Sequence, residues 1–274
     1  MYGRECLRHD DESTSTEPVM RDATRHDATC NDLESTGRVK PAVLLIHGFT
    51  GHHSSLGVVE SYLKQQGYRY EYPILAGHGT RPEDLADKRW SDWQEDVEGA
   101  YQKLRQSHDR IVIIALSMGT LLALQLASKH QGHVAGLVLL SPAIKFMNRL
   151  APLTPLVQPL VRRFPFPGKN KFSTAEGAAA DRGYQWFPTA AYRSYWEQTR
   201  SILSIAATVT VPTRIIHSRA DNVADPRGAT SLAAALGGPH ELFWHEHSGH
   251  ELLLDVEAES VLEEVVSFPP LSDG

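Results

Sequence analysis

The chain has 274 residues, 41% of them hydrophobic and 22% charged, enough apolar material for one large core or two small ones. Its 33 acidic side chains outnumber 27 basic ones for a net charge of −6, and no basic stripe is present, which argues against a nucleic-acid partner. No run approaches the roughly 18 apolar residues of a membrane span, and the N-terminus lacks the apolar centre of a secretory signal, so a soluble cytoplasmic protein is expected.

Residues 1–37 are polar and hold few large apolar groups, so they are expected to form a mobile extension that cannot offset its own ordering entropy. Cys6 and Cys30 both lie there; they fit neither a zinc spacing nor a CxxC site, and free thiols are expected. Val39–Ile46 is the first strand, apolar without alternation, as parallel strands covered on both faces are. It runs into His47-Gly48-Phe49, a tight turn whose next backbone N–H groups can point inward, so the Phe49 amide is a candidate oxyanion donor. Ser54–Gln66 reads as a helix stopped by Gly67, and Tyr68–Leu75 as a second strand. A helix with Ser91 as N-cap follows to about Gln106, its apolar stripe being Trp93, Val97, Ala100, Tyr101 and Leu104.

Ile111–Leu116 is the next strand. It breaks at Ala115-Leu116-Ser117-Met118-Gly119, and a helical apolar pattern begins at once. A small-x-Ser-x-small pentapeptide between strand and helix is the setting of a nucleophile elbow, where backbones nearly touch and the serine hydroxyl is exposed above the sheet. Val134–Leu140 is a further strand. Between Ala143 and about Ala207 the rhythm breaks: Pro152, Pro155, Pro159, Pro165 and Pro167 exclude long helices and central strands, and Trp186, Phe187, Tyr192, Tyr195 and Trp196 follow. Such an insertion suggests a cap over a site. The pattern resumes with a strand at Thr213–Ser218, a helix at about Arg227–Leu236, a strand at Glu241–Glu246 and a helix at Asp255–Phe268. Repeated strand–helix units imply a parallel sheet with ligands at the carboxyl ends of its strands.

A serine hydroxyl needs a base, imidazole suits the task near neutrality, and a carboxylate behind the imidazole fixes its tautomer. Ser117, Asp221 and His250 follow three successive late strands in the order Ser…Asp…His. Asp225 is the runner-up acid, but it precedes Pro226 and reads as a helix start. His247 is the runner-up base, with Gly249 favouring His250 by supplying a sharp turn, and His245 lies within the last strand. These three histidines lack the carboxylate or cysteine pattern of a zinc site, so no metal is expected. His78, between glycines, reads as a turn residue, and His52 and His53 as rim or solvated groups.

Taken in order, Leu45-Ile46-His47-Gly48-Phe49-Thr50-Gly51, Gly77-His78-Gly79, Trp90-Ser91-Asp92-Trp93, Leu116-Ser117-Met118-Gly119, Asp221 in its loop and Ser248-Gly249-His250 resemble the α/β-hydrolase superfamily. Within it, the likeness is to bacterial carboxylesterases and monoacylglycerol lipases, and it runs from about residue 39 to 268. Ala115 stands where such chains more often have glycine. The resemblance implies an α/β-hydrolase fold with a mostly parallel sheet of six to seven strands, helices on both faces and an inserted cap. The core would be residues 38–142 and 208–270, and the cap residues 143–207. It further implies Ser117 as nucleophile, His250 as base, Asp221 as acid, and the backbone amides of Phe49 and Met118 as oxyanion donors. No cofactor is expected. The substrate would be a small acyl ester, such as a monoacylglycerol or a medium-chain ester, reached through transient contact of the cap with a lipid interface. The same residues would also serve a thioesterase or an amidase, or could persist in a ligand-binding homologue without turnover.

Overall fold

The computed structural model describes residues 40–147, 160–166 and 171–272. Residues 1–37, with Cys6 and Cys30, lie outside the described residues, as do Pro152, Pro155, Pro159 and Pro167. In chain order the elements are β1 (Ala42–Ile46), α1 (Gly57–Gln65), β2 (Tyr70–Glu71), α2 (Trp90–Arg105), β3 (Ile111–Leu116), α3 (Gly119–Lys129) and β4 (Val134–Leu140). Then come β5 (Arg163–Pro165), α4 (Ala175–Ala180), β6 (Trp186–Pro188), α5 (Thr189–Gln198), α6 (Ile202–Ala206), β7 (Thr213–Ser218), α7 (Pro226–Ala235), β8 (His240–His245), α8 (Ala258–Val266) and α9 (Pro269–Ser272).

Six strands form one sheet in the order β2-β1-β3-β4-β7-β8, and every pairing in it is parallel. The unbroken apolarity of the central strands has a simple cause. Side chains alternate between two faces, and both faces are covered. Leu44, Ile46, Ile113 and Ala115 enter a core shared with Trp93, Tyr101 and Leu121, whereas Val43, Leu45, Val112 and Ile114 enter one shared with Val59, Leu63 and Val261. Helices α2 and α3 therefore cover one face, and α1 and α8 the other. The α2 stripe of Trp93, Val97, Ala100, Tyr101 and Leu104 is buried as its spacing predicts.

From β1 the chain runs out to the edge strand β2 and then returns to β3 on the other side of β1. This is a topological switch point, where a crevice opens beyond the carboxyl ends of the strands. Ile46 and Ala115 are register partners at those ends, so His47-Gly48-Phe49 and Ser117 emerge side by side.

Several boundaries differ from the sequence expectation. The Tyr68–Leu75 strand shrinks to Tyr70–Glu71, because an edge strand with Pro73 just beyond it has little to pair with. Helix α2 begins at Trp90 with Arg89 at the N-cap, not Ser91; Asp92 in the first turn accepts the Arg89 N–H at 2.7 Å. The closing helix begins at Ala258 because the Asp255 carboxylate is committed to other backbone groups, described below. In the 143–207 segment, β5 and β6 pair as a two-stranded antiparallel sheet, and α5 is a ten-residue helix that proline counting did not anticipate. Among the described residues, no helix is long and apolar enough to cross a membrane.

Where β1 passes the β3–α3 turn the packing leaves no room for a side chain at Gly119. A Cβ there would lie 2.6 Å from the Ile46 carbonyl oxygen and 2.7 Å from that of His47. Gly119→Ala is expected to lower stability by about 1–3 kcal/mol, as overpacking against rigid backbone does, and chemical denaturation would read the loss.

Candidate active site

Ser117 has a φ of 56°, left-handed for a non-glycine residue, so the turn that carries it is strained. The strain is held from three sides. Ser117 N–H donates to the Leu140 carbonyl at 2.9 Å, the Ser117 carbonyl accepts from the Thr120 N–H and hydroxyl, and Gly48 packs so closely that a Cβ on it would lie 2.9 Å from Ser117 Cβ. Phe49 and Met118 therefore flank the serine as chain neighbours of Gly48 and of Ser117 itself. His47 fixes the Gly48 turn: its Nε2 accepts from Leu75 N–H at 3.1 Å, so its Nδ1 carries the proton and donates to the Gly48 carbonyl at 2.9 Å. Complete burial pushes the His47 pKa down to about 4, which keeps this strut neutral.

The structure brings Ser117, His250 and Asp221 together. Ser117 Oγ is 2.8 Å from His250 Nε2, and His250 Nδ1 is 2.8 Å from Asp221 Oδ2, with all three side chains buried. The other Asp221 oxygen, Oδ1, accepts the Val223 and Ala224 N–H groups at 2.8 and 2.9 Å. Burial alone would raise the proton affinity of Asp221, but His250 and then His217 outweigh it and hold the group well below the usual carboxylate range. For His250 burial works against the charged form, yet Asp221, and Glu251 behind it, lift it above its ordinary value.

The runners-up sit elsewhere. Asp225 caps α7 through the Arg227 N–H at 2.9 Å and pairs with the Arg227 guanidinium. His245 is held between Glu264 and Glu257, at 3.2 and 3.4 Å, and His247 points to solvent. His78 is a buried turn residue with Nδ1 3.3 Å from the Leu75 and Ala76 carbonyls. His52 caps the turn into α1 and His53 stacks on Tyr72.

Sequence reasoning missed the residues that hold the histidine loop. The Lys171 carbonyl accepts the His250 N–H at 2.7 Å, and the Ser141 hydroxyl donates to the His250 carbonyl at 2.8 Å. Asp255 Oδ2 accepts both Gly249 N–H and Ser173 N–H, tying the 171–174 strand of chain to the loop. Glu257 takes the N–H groups of Ser248, His247 and Glu246. The Lys171 ammonium is itself buried and pairs with Asp181 at 3.0 Å. A polar residue inside a proline-rich segment carries no signal of such a pairing. The Phe49 ring is surrounded by Trp93, Phe187, Tyr192 and Tyr195, with the Phe187 centroid at 5.2 Å.

Residues 37–257 match the model of the family described as serine aminopeptidase, S33. The chain is 24% identical over 229 residues to a carboxylesterase of Bacillus subtilis (strain 168), covering 83% of this chain and 91% of the relative. It is 42% identical over 103 residues to a thermostable monoacylglycerol lipase of Bacillus sp. (strain H-257), a match that covers 37% of this chain and 40% of that one. Among solved structures, one from work on the metagenome-derived lipolytic enzymes LipS and LipT superposes with a TM-score of 0.78 and 26% identity, covering 84% of this chain and 93% of that one.

Removing one partner of the buried ion pair strands the other charge. Asp181→Ala is expected to cost about 3–5 kcal/mol, seen as a lower urea midpoint, because the Lys171 ammonium is left unpaired.

Proposed function

The chain belongs to the serine aminopeptidase S33 family of the α/β-hydrolase fold, and on that premise we propose that it hydrolyses carboxylic esters of fatty acids through an acyl-enzyme. The observation that supports this reading best is the unbroken line Ser117 Oγ, His250, Asp221, with both links at 2.8 Å, behind a serine strained to a φ of 56°. In this reading His250 Nε2 takes the Ser117 proton as Oγ attacks the ester carbonyl. The backbone N–H groups of Phe49 and Met118 receive the oxyanion, a term worth several kcal/mol in related chemistry. The tetrahedral adduct collapses, His250 hands its proton to the departing alcohol, and the acyl group stays on Ser117. Water then gives a proton to the same imidazole and attacks the acyl carbonyl, releasing the acid and restoring the serine.

Residues 143–207 act as a cap in this proposal. The aromatic surround of Phe49, to which Phe187, Tyr192 and Tyr195 of that segment contribute, suits an alkyl acyl chain, as in a monoacylglycerol or a medium-chain ester. Leu160, Val161, Phe164 and Met147 are exposed apolar groups of the same segment, fitted to brief contact with a lipid interface.

Ser117→Ala is expected to lower kcat by about four orders of magnitude or more while leaving the fold intact. Full ester activity in that variant would sink the proposal. His250 must be neutral to accept the proton, and its environment lifts it above its ordinary value of 6.5, so kcat/KM should fall as pH drops, with a half-point above 6.5. A substrate panel tests the chemical class: p-nitrophenyl esters from acetyl to palmitoyl, monooleoylglycerol and an aminoacyl p-nitroanilide. The expected result is a maximum at medium or long acyl chains with turnover of the glyceride. Cleavage of the anilide alone would replace the ester reading with a peptidase.

A further inference from the structure

The Asp221 carboxylate has one more neighbour than the proposed reaction requires. His217 lies in β7, four residues before Asp221, and the turn between them is closed by the Asp221 N–H on the Ser218 carbonyl at 3.3 Å. Its Nε2 is 3.2 Å from Asp221 Oδ2, the same oxygen that lies 2.8 Å from His250 Nδ1, and neither the His217 nor the Asp221 side chain has any solvent exposure. The ring packs beside Trp244, and neither of its nitrogens makes a hydrogen bond of full geometry; the contact of Nε2 with Asp221 Oδ2 is a close approach at 3.2 Å. An imidazole is costly to bury without a polar partner, and here the carboxylate oxygen is the polar group it approaches.

We propose that His217 is a positioning residue that grips Asp221 Oδ2 from β7 and shares the carboxylate's charge between two imidazoles. The inference rests on the reading of Ser117, His250 and Asp221 as the hydrolytic set. Oδ1 is already fixed by two backbone N–H groups, so a second contact on Oδ2 removes the remaining freedom of the carboxylate to rotate away from His250. It also moderates the pull of Asp221 on the His250 proton. Two imidazoles close to one oxygen each receive less of its charge, so His250 stays less basic than a carboxylate devoted to it alone would make it. The charged groups that face His250 are Asp221, Glu251 and Lys171, the last paired with Asp181. Of these, Asp221 is the group that His217 approaches, so a substitution at 217 acts through Asp221.

The test compares native protein with His217→Leu and His217→Gln. The readouts are the pH dependence of covalent labelling by a fluorophosphonate and kcat/KM on a p-nitrophenyl ester, with circular dichroism to check folding. In His217→Leu the acid limb of both profiles should move up by about half a pH unit, because an undivided carboxylate stabilises the imidazolium more. The plateau rate should fall roughly tenfold as Asp221 loosens. His217→Gln, whose amide can donate to Oδ2, should restore most of both. A folded His217→Leu protein with native midpoint and plateau would overturn the inference. So would a His217→Gln protein displaced as far as His217→Leu. If His217→Leu does not fold, His217→Met supplies the apolar variant and the same comparison decides. Failure of the native protein to label at all would fall on the hydrolytic reading, and the inference would go with it.

Discussion

A carboxylate taken out of water must be met by donors on all its lone pairs, or it protonates or drags the local structure apart. Asp221 is that carboxylate here, and much of the architecture follows from satisfying it. Its Oδ1 requires the loop after β7 to curl so that the Val223 and Ala224 amides turn inward. Its Oδ2 requires an imidazole arriving from the loop after β8, which is possible because β7 and β8 are parallel neighbours with matched ends, Ser218 opposite His245. The far side of that imidazole then falls beside the end of β3, three strands from β8. The sheet order is thus the means by which a charge buried at one edge of the site is conveyed to the serine at its centre.

The loop bearing His250 has no secondary structure to stiffen it, so its rigidity has another origin. Backbone groups from Glu246 to His250 are taken by the side chains of Glu257, Asp255 and Ser141 and by the Lys171 carbonyl. Gly249 lets the 171–172 backbone approach closer than any side chain would allow. Fixed acceptors of this kind hold an imidazole in place without a helix or strand at His250, to the tolerance that the proposed proton transfer needs.

These facts explain what was legible in the sequence. The strands read clearly because each divides its residues between two covered faces, which leaves Ile111–Leu116 and Val134–Leu140 apolar throughout. Ser117, Asp221 and His250 come together because parallel topology places the ends of β3, β7 and β8 on one side, so order along the chain stands in for proximity. Tyr68–Leu75 misled because periodicity does not reveal that a strand lies at an edge with a single neighbour. Asp255 reads as a helix start because its partners, Ser173 and Gly249, include one 82 residues away in sequence. His217 gave no signal at all inside an apolar strand, since its one polar approach depends on a turn that sequence does not resolve.

The Lys171–Asp181 pair shows why some of this design stays hidden. Two charges with 2% exposure each are a poor source of stability, because desolvation offsets most of their attraction and an apolar pair of the same volume would serve as well. What the pair supplies is registry. The Lys171 ammonium must find Asp181, and once it does the Lys171 carbonyl stands at the His250 amide, with Glu251 beside it and Thr50 at the edge of the Gly48 turn close by. An apolar contact could slide by a residue and still bury its area; an ion pair could not. Residues 171–181 are therefore tied to the loop that carries the imidazole at a single setting, and the geometry around Ser117 inherits that setting.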